Sequence, residues 1–422
     1  MPPALPQERY FALDGLRAVM MLLGVVLHSA QPYATWTFSI YTAFHDTAHT
    51  FVLSGLAFLL HLFRMPAFFV MAGFFGSVIW HARGTRALLR NRVKRVLLPL
   101  VLSWVVLFPL IVLSAAFTVL GGPKGVAHIV QQLHSGALLA KNNLTFSQLL
   151  MQMGLVHLWF LYFLMLFYGA ITLLLRGLRQ LPQKIKNLAD NSFKQIMLQP
   201  AGVVLLAAIT GLTMVPMRPA NKVTTGIEGT HAFLPPIAIL VAYFVFFVFG
   251  WLLFRHKHLL TRLRDRAWLY TSLGLGAAGL YAWLILHPPV AKPHLLQVAV
   301  AAPAIWLLSL GSIGLAMRYF RKPTGLFQYL SEASYWVYLV HVPLTLLLPG
   351  LLIDLPLPAL LKFLLTWAGA TGISLLTYQY WVRTTPLGGW LNGRRLAPYA
   401  FWSGFRKSEK PAATPIEAGS LI

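Results

Sequence analysis

The feature that most constrains this chain is a series of apolar runs, several of which reach 18 residues or more. A run of that length crosses the hydrocarbon core of a bilayer as a single helix. Only 10% of the 422 residues are charged, whereas soluble proteins carry roughly 25%. The apolar content of 58% also excludes a disordered chain. The sequence therefore predicts an all-α fold, a polytopic membrane helical bundle.

The apolar runs predict about ten transmembrane helices. The apolar segment 47–63 is predicted to be either an interfacial helix or part of a longer tilted span. The first run has no small-residue cleavage site, which predicts a retained helix and not a signal peptide. We expect residues 1–385 to form one transmembrane domain and residues 386–422 a partly disordered cytoplasmic tail. The predicted spans are 14–33, 65–81, 96–120, 154–175, 199–217, 236–254, 267–286, 295–317, 335–352 and 357–381.

Lysine and arginine are distributed unequally between the loops on the two sides of the predicted membrane. One set of alternate loops, with both termini, carries 26 of the 34 basic residues, and the other set carries six. Basic loops stay in the cytoplasm, so this set and both termini are predicted to be cytoplasmic. The net charge of +24 is then explained mostly by topology, and we predict no nucleic acid partner.

Two ionisable side chains share one face of the first span. Arg17 and His28 are eleven residues apart, which places them within about 20° around a helix and about 16 Å apart along it. Ionisable groups inside a membrane are costly, which makes them candidates for function, and an imidazole suits proton transfer near neutral pH. We predict both as catalytic residues. The alternative is that Arg17 anchors the cytoplasmic end and His28 is a hydrogen-bonded packing residue.

A second polar group is predicted near the level of His28, in the outer half of the membrane. His61 and Arg64 precede the second span and, being three residues apart, share a helix face. His157 opens the fourth span, two residues before Trp159. We predict these four as substrate-binding residues. The alternative for the polar ones is interfacial snorkelling and anchoring in an aromatic belt.

The ninth span offers a further polar face. Ser334 and His341 are seven residues apart and share that face, and His341 is expected about 10 Å inside the cytoplasmic end. Glu332 is either a helix-start carboxylate or a group that orients something deeper. We predict all three as substrate-binding residues, with a polar helix–helix contact as the alternative for His341.

The densest basic cluster lies between the second and third spans. Its members Arg92 and Arg95, at the mouth of the third span, are predicted to hold a phosphate-bearing cofactor, because arginine binds phosphate bidentately. The alternative is topology and attraction to lipid headgroups. The sequence has neither a phosphate-binding G-x-x-x-x-G-K-[ST] loop nor a G-x-S-x-G elbow. His256 and His258 do not share a helix face, and we predict no metal.

Five motifs in order resemble those of the membrane acyltransferase-3 family, and cues around His61–Met65 and Tyr338–Leu346 resemble its glucan-modifying branch. One departure is Ala72, where the family usually has serine, so a hydroxyl role is lost there while a backbone or packing role survives. The motifs are Arg17-x10-His28, Phe68-Phe69-Val70-Met71-Ala72-Gly73-Phe74, Arg92-x-x-Arg95 before Pro99, His157-Leu-Trp-Phe and Ser334-Tyr335-Trp336-Val337-Tyr338-Leu339-Val340-His341-Val342-Pro343.

The resemblance implies an O-acyltransferase of the bacterial inner membrane. It would move an acyl group from cytoplasmic acyl-coenzyme A to hydroxyls of a periplasmic glucan or another extracytoplasmic carbohydrate. The family resemblance does not fix the acyl group, and the likeness to the glucan-modifying branch favours succinyl. No cofactor would be bound permanently, and the partners would be succinyl-coenzyme A, the acceptor and membrane lipids. The alternative is a transporter or flippase for a lipid-linked or anionic saccharide, although the sequence shows no inverted repeat of the kind many transporters have.

Within this scheme the predicted residues take separate roles. Arg92 and Arg95 would hold the nucleotide end of the donor, with Arg17 at the mouth of the path. His28 would act as general base on the acceptor hydroxyl or would carry the acyl group transiently. Arg64 would hold the carboxylate of a succinyl donor or the developing oxyanion.

Overall fold

The computed structural model describes residues 7–35, 44–134, 154–197, 199, 201–217, 226–230, 232–288, 293–320 and 325–392. Helices dominate these residues, and their only β-pairing is an isolated bridge between Ala34 and Thr50. The α-helices are α1 Gln7–Ala30, α2 Phe51–Arg92, α3 Leu98–Val119, α4 Gly122–His134, α5 Trp159–Arg179, α6 Gln183–Met197, α7 Ala201–Met214, α8 Ile237–Arg255, α9 His258–Asp265, α10 Ala267–Leu286, α11 Pro293–Tyr319, α12 Gly325–Leu352, α13 Ala359–Thr377 and α14 Pro386–Asn392.

Eight helical segments in the described residues are long and apolar enough to cross a membrane, or nine if the bent pair α6–α7 forms one span. One of the eight, Phe51–Val119, has 69 residues. Its length of about 100 Å exceeds the roughly 30 Å hydrocarbon core, so it contains more than one crossing. Gly84 interrupts it with φ 77° and ψ −179°. The predicted membrane bundle is confirmed.

The span count differs from the predicted ten for two reasons. The spans predicted at 65–81 and 96–120 belong to one helical run, which counts once. The span predicted at 199–217 contains α7, which has 14 residues and is too short to cross alone. The segment 47–63 belongs to a longer helix, because α2 starts at Phe51 and continues without a break through that region.

The first, second and twelfth helices carry most of the predicted site residues and pack on several neighbours. α1 packs against α2, α11, α12 and α13, and α12 also contacts α3. Helix α2 packs closely on α8 because glycine faces backbone at both contact points. A Cβ at Gly73 would collide with the carbonyl of Phe247, and a Cβ at Gly250 would collide with the carbonyl of Val70. The glycine of the Phe68–Phe74 motif is thus required by helix packing.

Helical structure near the end of the predicted domain continues to Val382, three residues before the predicted boundary. A wide π-helical turn, Tyr378–Val382, extends α13, and α14 covers the first residues of the predicted tail. Residues 393–422 lie outside the described residues, so the boundary at 385 and the partly disordered tail stay predictions.

Candidate active site

Three histidines from three separate elements meet inside the bundle, and we call them the histidine cluster. They are His28 near the end of α1, His157 in the short 3₁₀ turn Val156–Leu158, and His341 in α12. The ring centroids of His28 and His341 are 5.3 Å apart, and those of His157 and His341 are 5.4 Å apart. The prediction that His28 and His157 lie at a common level agrees with this geometry.

His341 lies farther from the start of its helix than from the start of the predicted span. Helix α12 begins at Gly325, sixteen residues before His341, so this histidine is about 24 Å from the start of the helix. The predicted span began later, at Tyr335, because polar residues precede Tyr335 on the same helix. The depth of His341 below the membrane surface stays a prediction.

The hydrogen bonds of the cluster assign a role to individual ring nitrogens. His341 Nδ1 donates to the carbonyl of Tyr338 at 2.7 Å and lies 3.1 Å from that of Val337. His341 Nε2 has no hydrogen-bond partner among the described residues, so in the neutral ring it presents a lone pair. His157 Nε2 donates to the carbonyl of Leu339 at 3.1 Å.

His28 combines access with orientation. As a residue His28 is partly exposed, whereas His157 and His341 are buried. His28 Nδ1 is 2.9 Å from Gln31 Oε1. Because an amide oxygen can only accept, Nδ1 carries the proton of the neutral ring and Nε2 is the basic nitrogen.

The guanidinium of Arg64 lies beside the histidine cluster. A Cβ at Gly24, one helical turn before His28, would be 2.5 Å from Arg64 Nη1. Arg64 interacts electrostatically with both His28 and His341, and only 8% of it is exposed. The cluster thus has a held positive charge where a carboxylate or an oxyanion could be bound.

His61 and Trp159 lie outside these ring contacts. His61 is half-buried, interacts electrostatically with Arg64 and makes no ring contact with the histidine cluster in the described part of the chain. Trp159 packs in an aromatic core, 5.1 Å from the ring of Phe163 and 5.4 Å from that of Tyr243. A substrate-binding role for these two residues stays a prediction.

Three arginines meet at the other end of the path, and we call Arg17, Arg92 and Arg95 the arginine cluster. Arg92 is 1% exposed, and its guanidinium lies 4.5 Å from the centre of the Tyr168 ring. Arg92 Nε and Nη2 and Arg95 Nη1 are buried and have no hydrogen-bond partner among the described residues. Asp14 supplies a carboxylate to Arg17, at 3.6 Å.

A π-helical turn, Val93–Leu97, helps to set the position of Arg95. Such wide turns occur often at functional sites. In this one the carbonyl of Arg95 accepts a hydrogen bond from the hydroxyl of Tyr335 at 3.0 Å. Buried cationic donors that lack an acceptor are costly, and an anion would supply the acceptors that these donors lack among the described residues.

A cavity links the arginine cluster to the region below the histidines. Along α1, Arg17 and Met21 line it, and Gly24 and His28 continue the same helix face. The cavity therefore ends about two turns before His28. Its lining consists of Arg17, Met21, Phe68, Met71, Ala72, Phe75, Arg92, Arg95, Val96, Phe160, Leu161, Leu164, Tyr168, Ser334 and Tyr335.

The two remaining predicted residues of α12 have different surroundings. Ser334 lines the cavity, and its hydroxyl donates to the carbonyl of Ser331 at 2.8 Å. Glu332 is not part of the cavity lining, and its Oε2 lies 2.8 Å from Arg383 Nη1. This ion pair joins α12 to the segment after α13, and a substrate-binding role for Glu332 stays a prediction.

Sequence reasoning missed two polar contacts of the site. The Tyr338 hydroxyl donates to the carbonyl of His157 at 2.9 Å and so joins the turn Val156–Leu158 to α12. The Tyr168 hydroxyl donates to the carbonyl of Ala72 at 2.8 Å, a backbone role that does not need the serine usual there. Tyr338 was part of a motif, but Tyr168 had no local signal.

No group of three or more His, Cys, Asp or Glu side chains in the described residues is arranged to hold a metal ion. His256 Nε2 lies 3.2 Å from Asp190 Oδ1, and Asp190 also pairs with Arg255. His256, which lies in a loop predicted to be cytoplasmic, therefore has a carboxylate partner within the protein. The absence of a metal from the active protein stays a prediction.

A membrane helical bundle with a cluster of imidazoles, and with a cavity lined by buried arginines farther along the same α1 face, has the parts of an integral-membrane acyltransferase. A model of the acyltransferase domain family matches residues 10–379, and the chain belongs to this family. Similar relatives are the glucans biosynthesis protein C of Escherichia coli O17:K52:H18 strain UMN026 and that of Escherichia coli strain K12. Each is 24% identical over 382 residues, which cover 90% of this chain and 93% of the relative. No solved structure matches the chain.

Proposed function

We propose that this acyltransferase moves a succinyl group from cytoplasmic acyl-coenzyme A to a hydroxyl of a periplasmic glucan. The observation that carries the proposal is the continuous α1 face that runs from the arginine cluster, along the cavity, to His28. In this scheme the arginine cluster faces the cytoplasm and the histidine cluster is reached from the periplasm of a bacterial inner membrane. The name of the similar Escherichia coli proteins supports the glucan as acceptor.

The donor would enter with its phosphates on the arginine cluster. Arg92 and Arg95 bring buried guanidinium donors that have no acceptor among the described residues, and phosphate oxygens are the acceptors that suit them best. The pantetheine arm would follow the apolar cavity walls toward Met21 and Phe160. The thioester would then reach the level of Arg64, next to His28.

The chemistry that this arrangement supports is base-assisted acyl transfer. His28 Nε2 takes the proton of the acceptor hydroxyl while the hydroxyl oxygen attacks the thioester carbonyl carbon. The tetrahedral intermediate, with Arg64 beside its oxyanion, collapses with cleavage of the carbon–sulfur bond. The imidazolium returns its proton to the leaving thiolate. Alternatively His28 Nε2 itself attacks the thioester carbonyl carbon, and the carbon–sulfur bond breaks to release the coenzyme A thiolate. The acceptor hydroxyl then attacks the acyl-histidine, the carbon–nitrogen bond breaks, and the hydroxyl proton passes by way of His28 to the thiolate.

The other predicted residues take supporting roles in this proposal. His341 Nε2 offers a second acceptor nitrogen beside His28, and His157 keeps that cluster packed. His61 and Trp159 would contact the acceptor sugar, Ser334 would contact the donor arm, and Glu332 would orient the donor path through Arg383.

The transfer is tested with purified protein in proteoliposomes, given succinyl-coenzyme A on one side and periplasmic glucan on the other. The proposal expects free coenzyme A and succinylated glucan in equal amounts without any ion gradient. Absence of turnover, together with gradient-dependent saccharide movement, would instead support the transporter alternative. The family assignment already favours the enzyme.

We expect the Arg92→Ala and Arg95→Ala variants to raise KM for acyl-coenzyme A by about 10- to 100-fold. The reason is that a hydrogen bond to a charged group contributes about 1.5–3 kcal/mol. The measurement is initial rate against donor concentration. Arg90→Ala is the matched control, because Arg90 lies on the same helix and is exposed. An unchanged KM in both cluster variants would remove the phosphate role.

We expect Arg64 to govern the choice of acyl donor. A succinyl group carries a carboxylate that Arg64 can bind, and an acetyl group does not. Arg64→Met should therefore lower kcat/KM for succinyl-coenzyme A about tenfold or more relative to acetyl-coenzyme A, whereas Arg64→Lys should keep part of the preference. Equal losses with both donors would assign Arg64 to the oxyanion and not to the carboxylate.

A further inference from the structure

We infer that Gln31 is a positioning residue that fixes the proton of His28 on Nδ1 and leaves Nε2 as the base. This inference rests on the proposed role of His28 as general base. Gln31 is three residues after His28, in the 3₁₀ turn Gln31–Tyr33 that directly continues α1. Its Oε1 is 2.9 Å from His28 Nδ1. Gln31 is not among the residues that line the cavity, and its amide oxygen contacts the histidine cluster at His28 Nδ1.

The distinction between the two ring nitrogens matters for transfer. A neutral imidazole exchanges its proton between Nδ1 and Nε2, and only a ring with a bare Nε2 accepts a proton from a hydroxyl at that atom. An acceptor oxygen at Nδ1 favours the tautomer with the proton on Nδ1 and also restricts rotation of the ring. Gln31 would therefore raise the fraction of rings ready for proton transfer and keep Nε2 in one direction.

The turn that carries Gln31 is itself held in place from a distant part of the chain. The hydroxyl of Tyr33 is 3.0 Å from Thr366 Oγ1 on α13, and both side chains are fully buried. The carbonyl of Tyr33 accepts from the backbone N–H of Thr50 at 3.0 Å, and the carbonyl of Pro32 accepts from that of Asp46 at 3.0 Å. These contacts fix the turn on both sides, so the Gln31 amide is presented to His28 from a rigid support.

The charged and titratable groups that face His28 come from several elements. His341 approaches from α12, His157 from the turn Val156–Leu158 and Arg64 from α2. On α13, which also packs on α1, the charged group near the turn is Lys362, and it is bonded to Asp46. Since Gln31 is neutral, it orients His28 without altering the charge around the ring.

The inference is tested with Gln31→Ala, Gln31→Glu and the matched control Gln297→Ala. Gln297 is a half-buried glutamine on α11 that donates to the carbonyl of Leu284 at 3.2 Å. Each variant is assayed for glucan succinylation across pH 5.5–9, a range of about 3.5 units that includes the ordinary imidazole pKa. The KM for the donor and the thermal unfolding temperature are measured in parallel. We expect Gln31→Ala to lower kcat about tenfold or more with an unchanged donor KM.

Gln31→Glu separates orientation from simple structural support. A carboxylate accepts from Nδ1 as the amide does, so much of kcat should return. Its negative charge also stabilises the protonated ring, so the acid limb of the rate profile should move to higher pH by about one unit. Wild-type kcat and pH profile in both Gln31 variants would overturn the inference, as would equal losses in both with an unmoved profile.

The same assays distinguish failure of this inference from failure of the proposed function. If His28→Asn abolishes transfer while the Gln31 variants behave as wild type, the base remains and only the positioning role fails. If His28→Asn retains full transfer, the proposed role of His28 fails, and the Gln31 inference fails with it.

Discussion

Replacing His28 by asparagine should lower kcat for succinyl transfer by about 100-fold or more, with little change in KM for acyl-coenzyme A. Proton transfer by a positioned side chain contributes about 10²–10⁴ in rate, and asparagine keeps polarity and similar size without a basic nitrogen. The donor KM should be unchanged because Arg17, the member of the arginine cluster on α1, is about three helical turns from His28. The measurement is coenzyme A release by purified, reconstituted protein at matched abundance.

The control for this variant is His287→Asn. His287 lies just beyond α10, is exposed and is stacked on Trp283, so its loss should leave transfer unchanged. Full activity of His28→Asn would contradict the catalytic role. His341→Asn is the informative companion, because His341 Nε2 has no hydrogen-bond partner among the described residues. If His341→Asn loses more activity than His28→Asn, the base assignment moves to His341.

An acyl-histidine intermediate predicts a further observation for the wild-type protein. Donor labelled in its acyl group, supplied without acceptor, would leave label on His28 after rapid quenching. Direct transfer leaves none under the same conditions. Either result is compatible with the loss of activity in His28→Asn, because both routes need the same nitrogen.

The parts of the site that could be predicted from sequence are those set by local helix geometry. Arg17 and His28 share a face because eleven residues are close to three full helical turns, and the structure extends this face through Met21 and Gly24. Gln31 was equally accessible to this reasoning, since it follows His28 by three residues. It was missed because burial of a neutral amide in a membrane costs less free energy than burial of an ionisable group, and only ionisable groups were taken as candidates for function.

The parts that could not be predicted depend on contacts between distant residues. The meeting of His28 with His341 is decided by how α1 packs on α12, and no periodicity within either helix contains that information. Likewise Glu332 has the local appearance of a helix-start carboxylate, yet its partner is Arg383, 51 residues away. Hydropathy also favoured a late start for α12, because polar residues open that helix.

The buried ion pair between Asp46 and Lys362 is another contact of this kind, and its loss should have the largest effect on stability. Lys362 Nζ lies 2.8 Å from Asp46 Oδ2, and the side chains are 2% and 0% exposed. Removing one partner strands a charge in a buried site, which costs about 3–5 kcal/mol. We therefore expect Lys362→Met and Asp46→Asn each to lower the unfolding temperature in detergent by several degrees, measured by thermal unfolding.

The exposed pair between Lys124 and Asp354 provides the matched control. Its nitrogen and oxygen are 3.2 Å apart, but the side chains are 78% and 38% exposed, and surface pairs contribute only about 0–1 kcal/mol. Lys124→Met should therefore leave the unfolding temperature nearly unchanged. If Lys124→Met lowers the unfolding temperature as much as Lys362→Met does, loss of any charge destabilises the fold. That result would contradict the conclusion that burial makes the Asp46–Lys362 pair important for stability.

The double variant Asp46→Asn with Lys362→Met tests the physical reason for that loss. With both charges removed no ion is stranded, so most of the stability lost in either single variant should return. Asparagine at position 46 can still accept from the backbone N–H of Ala48, as the Asp46 carboxylate does at 2.8 Å. If the turn Gln31–Tyr33 keeps its position in the double variant, succinyl transfer should recover together with stability. Recovery of stability without recovery of transfer would mean that the charged pair itself holds the turn in its position beside His28.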